Sequence, residues 1–253
     1  FVMLGGMTAV TFSAYVPLPL AILAAVVTTL CVGAIIEIAF IRWLHKPGVL
    51  RMVIITIGIS ILIRETALHI WGEGVKALPY FTGTSVTSIN LGGVYISPQV
   101  LWVIGVGGIV VAALILFFNY TLAGRQMRAC AANRDAARLC GIHAGNMVTL
   151  SFMLSAAIGA IGGCVVCPIT YLQYDSGTPL AIKGFTVAIL GGLGNSVAAV
   201  GAGMILGILE SFSIWILPTA YKEAISIAIL LLILFVKPSG IFGSSEAARL
   251  KEF

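Results

Sequence analysis

The sequence predicts an all-α, polytopic integral membrane protein with about seven to eight membrane segments, one of them short and broken by glycine. Hydrophobic residues make up 60% of the 253-residue chain, above the roughly 45–50% of soluble domains, and mean hydropathy is +1.11. Apolar runs near the ~20 residues that cross a bilayer recur from end to end, and they are continuous rather than alternating, which selects helices over a barrel. Charged residues are 9% of the chain, and they gather in a few connections.

Taken in order, the segments are residues 2–16, 18–41, 52–71, 98–119, 147–171, a short one near 181–194, 197–217 and 223–236. Phe1 to Met7 lacks the charged start and small-residue cleavage site of a signal peptide, so the chain is expected to continue a longer protein. Three regions carry ten of the fourteen Lys and Arg: Arg42, Lys46 and Arg51; Arg125, Arg128, Arg134 and Arg138; and Lys237, Arg249 and Lys251. The positive-inside rule assigns all three to the cytoplasm. The net charge of +5 is then a topology signal, and nucleic acid is not expected as a partner, since aromatic and basic residues do not interleave. Residues 72–97, flanked by Trp71, Tyr80, Tyr95 and Trp102, fall on the opposite side with an aromatic belt.

Residues 178–195 are expected to form a broken or re-entrant helix. Their apolar core, about a dozen residues, covers some 20 Å of a ~30 Å hydrocarbon layer and ends in glycines. Irregular backbone at that depth must be buried in protein or line a watery cavity. Candidate pathway residues are therefore Phe185, Gly191, Gly192, Gly194 and Asn195, with Arg64 from the third segment; the alternative for the stretch is a loose connection packed on a partner subunit. Ionisable residues within apolar segments are Glu37, Arg64, Glu65, His69 and Glu210, and buried membrane charge calls for a partner or a cavity. Arg64 cannot meet adjacent Glu65 across one helix face, so an interhelix ion pair is expected for it, against a gate or substrate role or snorkelling to the interface. Glu37 and Glu210 read as structural.

Small residues at Gly159/Gly163 and Gly203/Gly207 fit close helix packing, read as packing within the chain ahead of dimerisation. Five cysteines, Cys31, Cys130, Cys140, Cys164 and Cys167, offer no paired framework, and Cys164 and Cys167 read as packing residues. Enzyme signatures are missing. Gly191 to Asn195 lacks the Lys and Ser/Thr of a phosphate-binding loop, and His45, His69 and His143 offer no two-histidine metal site. No metal and no cofactor are expected; any ATP would be bound by another chain.

The polar island Gly124–Ile142 holds four arginines and one aspartate. A helix of about two turns is written into it: Asn133 as N-cap, Asp135 in the first turn, Arg138 in the last, and Gly141 in the left-handed closing position. So short a helix is marginal in water, and Ala136, Ala137, Leu139, Cys140 and Ile142 offer an apolar surface to hold it. Two readings stand: a docking element for another protein, or a helix lying on its own membrane domain or on anionic headgroups.

Residues 128–142, Arg-Ala-Cys-Ala-Ala-Asn-Arg-Asp-Ala-Ala-Arg-Leu-Cys-Gly-Ile, resemble the coupling loop of permeases of LIV-type ABC importers, the branched-chain amino-acid family. Lys183–Asn195, Glu210, Tyr221-Lys222-Glu223 and the ending Lys237–Gly243 follow in family order, and Phe1 to Met7 resembles its second helix. The likeness is greatest to the first of the two paired permeases. It implies a permease domain over 1–243 lacking the family's first helix, a coupling loop at 121–146 and a cytoplasmic tail at 244–253. It further implies an inner-membrane subunit working with a homologous permease, two cytoplasmic ATP-binding subunits and a periplasmic binding protein. By carry-over, Arg128, Asn133, Arg134, Asp135, Ala137, Arg138, Leu139, Gly141 and Ile142 would meet the ATPase. Branched-chain or hydrophobic amino acids would be the cargo, with urea, amides or other small solutes as alternatives. Rivals from other classes are a gradient-driven transporter or channel and a membrane scaffold.

Overall fold

A computed structural model of the chain describes residues 1–43, 49–84, 87–91, 94–192, 196–216, 218 and 221–236. His45, Lys46, Gly194, Asn195, Thr219, Ala220, the ending Lys237–Gly243 and the tail 244–253 lie outside them. The chain divides into two compact units, one closing at Ser176 and the other opening at Gly177.

The first unit contains α1 (Val2–Ser13), α2 (Leu18–Ile36), α3 (Val49–Trp71), α4 (Pro98–Tyr120), α5 (Leu122–Ala132), α6 (Arg134–Leu139) and α7 (Ala144–Thr170). Prolines begin two of the spans: Pro17 caps α2, and Pro98 opens α4 where no amide is needed. The last turn of the α2 span is a π-helix, Glu37–Ile41, closed by the Arg42 amide donating to the Glu37 carbonyl at 2.8 Å. Between α3 and α4 a small antiparallel hairpin pairs β1 (Ile89–Leu91) with β2 (Val94–Ile96) in the register Ile89 to Ile96.

Lipid offers no hydrophobic drive between helices, so close packing carries their association. α7 is the shared partner of α1 and α2. A Cβ on Gly163 would strike the Val2 carbonyl, and one on Gly5 would strike the Ala160 backbone. Gly159 lies against Phe1, so the first small-residue motif packs within the chain, as its spacing predicts. Cys164 and Cys167 are buried in the core cluster with Ala9, Ala25, Leu78 and Leu172, which bears out their packing role.

At the hairpin end, Lys76 and Leu172 exchange two backbone hydrogen bonds at 2.8 Å. Fully buried Gln99 accepts from the Phe81 amide at 3.2 Å and donates to the Val165 carbonyl at 2.9 Å. The connection after α3 is thereby fastened to α7.

The second unit contains α8 (Gly177–Gly191), α9 (Ser196–Ile216) and α10 (Lys222–Val236). α8 is short, about 22 Å at 1.5 Å per residue, yet it runs unbroken through Gly184. The break falls at its end, where Gly192 has φ +86°. Gly191 sits so close to Ala198 and Ala199 of α9 that a Cβ would overlap their backbone. In the second small-residue motif only Gly203 touches a neighbour, Val187, while Gly207 meets nothing within 4 Å.

Five of the described helices are long and apolar enough to cross a membrane: Leu18–Ile41, Arg51–Trp71, Pro98–Tyr120, Ala144–Thr170 and Val197–Trp215. Val2–Ser13 and Gly177–Gly191 are shorter apolar helices. The fold is an all-α multi-pass membrane architecture, as the composition predicts.

Candidate functional site

The polar island folds as two helices meeting at one extended residue. α4 ends at Thr121, whose hydroxyl donates to the Phe117 carbonyl at 2.6 Å and accepts the Gly124 amide at 3.0 Å. That exchange stops one helix and caps the next within three residues. Gly124 allows the tight corner, since a Cβ there would strike the Phe117 carbonyl and the Phe118 backbone. α5 is a helix the sequence reading does not separate from the island. Its Arg125 and Arg128 face outward and reach back toward α4, to the Tyr120 carbonyl at 3.4 Å and Asn119 Oδ1 at 3.2 Å.

Asn133, extended at φ −154°, ends α5 and begins α6. Its Oδ1 accepts the amides of Asp135 and Ala136, each at 3.0 Å, so the predicted cap is formed. At the other end Gly141 takes φ +81°. The Gly141 amide donates to the Arg138 carbonyl and the Ile142 amide to the Ala137 carbonyl, both at 3.0 Å, the paired bonds of a Schellman closure. Asp135 and Arg138 pair at 3.7 Å across one turn.

Burial corrects one expectation. Of the five apolar residues proposed to hold α6, Ala137 is buried and Ile142 half-buried, while Ala136, Leu139 and Cys140 are exposed. Leu139 is 91% exposed. α6 is held by hydrogen bonds at its two ends and by the inward side of Ala137 and Ile142, while Ala136, Leu139 and Cys140 face outward. A cleft of about 420 Å³ lies beside it, lined by Arg42, Arg138, Gly141, Ile142, His143 and Asn146 among others. Arg42 from the end of the π turn and Arg138 from α6 therefore stand at the same end of the first unit.

The pathway candidates fall in both units. Arg64, on α3 in the first, departs from expectation: its Nη2 lies 3.5 Å from Glu65 Oε1, with the side chains 40% and 49% exposed. Two long side chains leaving neighbouring positions can bend round to meet, so helix-face geometry did not exclude the pair. Arg64 Nε is buried without a partner, and the expected interhelix pair is not formed among the described residues. In the second unit, Phe185 is exposed on α8, Gly191 is buried against α9 and Gly192 turns the chain. Gly194 and Asn195 are outside the described residues.

Two further side chains, given no polar partner by the sequence reading, complete buried polar contacts. Thr149 of α7 donates to Glu37 Oε2 at 2.6 Å, and Glu37 is 1% exposed. Lys183 of α8 pairs with Glu210 of α9 at 3.0 Å, with the two side chains 26% and 10% exposed. Lys183 is the one charge in residues 177–191 and Glu210 the one charge in 196–216. Two lone opposite charges on consecutive apolar helices were the available signal.

The family described as "Branched-chain amino acid transport system / permease component" matches residues 1–234. The high-affinity branched-chain amino acid transport system permease protein LivH of Escherichia coli K12 is 34% identical over 236 residues, 89% of this chain and 74% of the relative. BraD of Pseudomonas aeruginosa, of the same description, is 31% identical over 233 residues, 89% of this chain and 75% of the relative. A probable branched-chain amino acid transport permease protein of Methanocaldococcus jannaschii is 29% identical over 137 residues, 51% of this chain and 44% of the relative. No solved structure matches.

Proposed function

Because the chain belongs to the family of branched-chain amino acid transport permease components, we propose that it is the membrane-spanning subunit of an ATP-driven importer. Its cargo is branched-chain or other hydrophobic amino acids, carried across a bacterial inner membrane. It works with a homologous second permease, two ATP-binding subunits and a periplasmic binding protein. The chain itself hydrolyses nothing and holds no cofactor; ATP belongs to the partner subunits. The coupling loop and the C-terminus face the cytoplasm, in keeping with the arginines gathered around α6.

The observation that carries this reading is the form of α6: a helix fastened at both ends, with Leu139 projecting almost wholly into the open. Such a helix keeps its form within the chain and leaves Leu139 uncovered. A groove on an ATP-binding subunit would cover Leu139 and face Arg134 and Arg138, while Asn133, Asp135, Ala137, Gly141 and Ile142 keep the helix intact. Arg128, bonded to Asn119, fixes α5 against the end of α4. ATP binding then biases the permease between its two accessible states through α6. Phe185, Gly191, Gly192, Gly194, Asn195 and Arg64 remain the proposed pathway residues.

Gly141→Val tests the reading. A β-branched residue at φ +81° opposes the closure, at about 1–2 kcal/mol, although a Cβ there would meet no other atom within 4 Å. In proteoliposomes with the partner subunits, the variant inserts and ATP is still hydrolysed, but leucine uptake per ATP falls. Unchanged coupling would overturn the lever role of α6. Uptake driven by an ion gradient with the ATP-binding subunits left out would replace the importer with a gradient-driven transporter.

A further inference from the structure

Glu37 sits at the junction where α2 changes from α- to π-helix. Its carbonyl takes the Arg42 amide at 2.8 Å, the bond that closes the π turn. Its carboxylate takes the Thr149 hydroxyl at 2.6 Å. One residue thus sets the wide turn of α2 and grips α7.

Thr149 lies in the second turn of α7, within 3.2 Å of the Gly145 carbonyl as well. Gly145 lines the cleft shared by Arg42 and Arg138. A continuous path follows: from the closure of α6 at Gly141, through Ile142 and His143, into α7, across Thr149 to Glu37, and round the π turn to Arg42 at the same cleft.

Three physical considerations give that path a role. A carboxylate this buried in an apolar helix is costly, and such residues mark working parts of membrane proteins. A tie needed only for stability could be replaced by packed apolar side chains at little loss. A single π turn is a wider alternative to an α-turn that is often found at functional positions, and here it closes the α2 span between Glu37 and Arg42.

We propose that Glu37 is a positioning residue that carries the displacement of α6 into α2 through Thr149, with the π turn as the element that switches. The inference rests on the coupling role of α6 given above.

The test compares three forms in proteoliposomes containing the partner subunits, reading leucine uptake, ATP hydrolysis and retained partner subunits together. The apolar pair Glu37→Leu with Thr149→Val is expected to insert, hold its partners and permit ATP hydrolysis, while uptake per ATP falls roughly tenfold. Glu37→Gln, which keeps an acceptor for Thr149, is expected to recover most of the coupling. Wild-type coupling in the apolar pair overturns the proposal. If Gly141→Val uncouples while the apolar pair does not, only the role of Glu37 is lost; if neither uncouples, the role of α6 falls first. Should the apolar pair fail to insert, Thr149→Val and Thr149→Ser decide: the proposal expects valine to uncouple and serine to stay coupled, and equal coupling in both overturns it.

Discussion

Glu37 and Glu210 are the same side chain in the same kind of apolar helix, and the two units treat them differently. Glu210 meets a lysine on the neighbouring helix at 3.0 Å, so its charge is balanced where it lies. Glu37 meets a hydroxyl at 2.6 Å on a helix more than a hundred positions away in sequence. An ion pair is a fixed latch, held by strong attraction in a low-dielectric setting. A hydroxyl contact satisfies the carboxylate as a hydrogen bond but brings no opposite charge to it. The second unit thus balances its carboxylate with a charge, whereas the first ties its carboxylate to a hydroxyl.

The largest expected effect breaks the latch. Lys183→Met takes the cation away from buried Glu210 and should destabilise the protein by about 3–5 kcal/mol, read as a lowered unfolding midpoint in detergent. Pairing it with Glu210→Leu should restore most of that loss, and a double variant as unstable as the single one would contradict the latch. Next in size, Thr149→Val removes the donor to Glu37 and should cost about 1–3 kcal/mol, with equal stability to the parent arguing that the contact is incidental. The smallest effect extends the comparison to Glu65, whose pair with Arg64 is open to its surroundings. Glu65→Gln should change stability by about 0–1 kcal/mol; a larger loss would show that exposure had misjudged the pair.

The helices and the capped island were legible because their signals are local. Asn133, Asp135, Arg138 and Gly141 each act within a turn of themselves, so position in sequence was enough. The Arg64–Glu65 pair was misread because face geometry was applied to side chains long enough to defeat it. The hairpin was missed although Gly92-Gly93 stands between Ile89-Asn90-Leu91 and Val94-Tyr95-Ile96, a two-glycine signal for a tight turn between alternating residues. The π turn and the partners Thr149 and Lys183 depend on which helices become neighbours. No local pattern in 18–41 distinguishes a span that ends in a wide turn from one that does not.

The contact between the first helix and α7 has a consequence for biosynthesis. Cys164 Sγ reaches the Gly5 carbonyl at 3.5 Å, 159 positions along the chain. At about 5–20 residues per second, synthesis takes roughly 10 to 30 s to cover that interval. Through that time Gly5 and Gly6 have no α7 to close against, although α2 and α3 are already made and pack on α1. A ribosome stalled before residue 160 would leave an unclosed bundle in the membrane, and that unfinished state is the one a cell's quality-control proteases would meet.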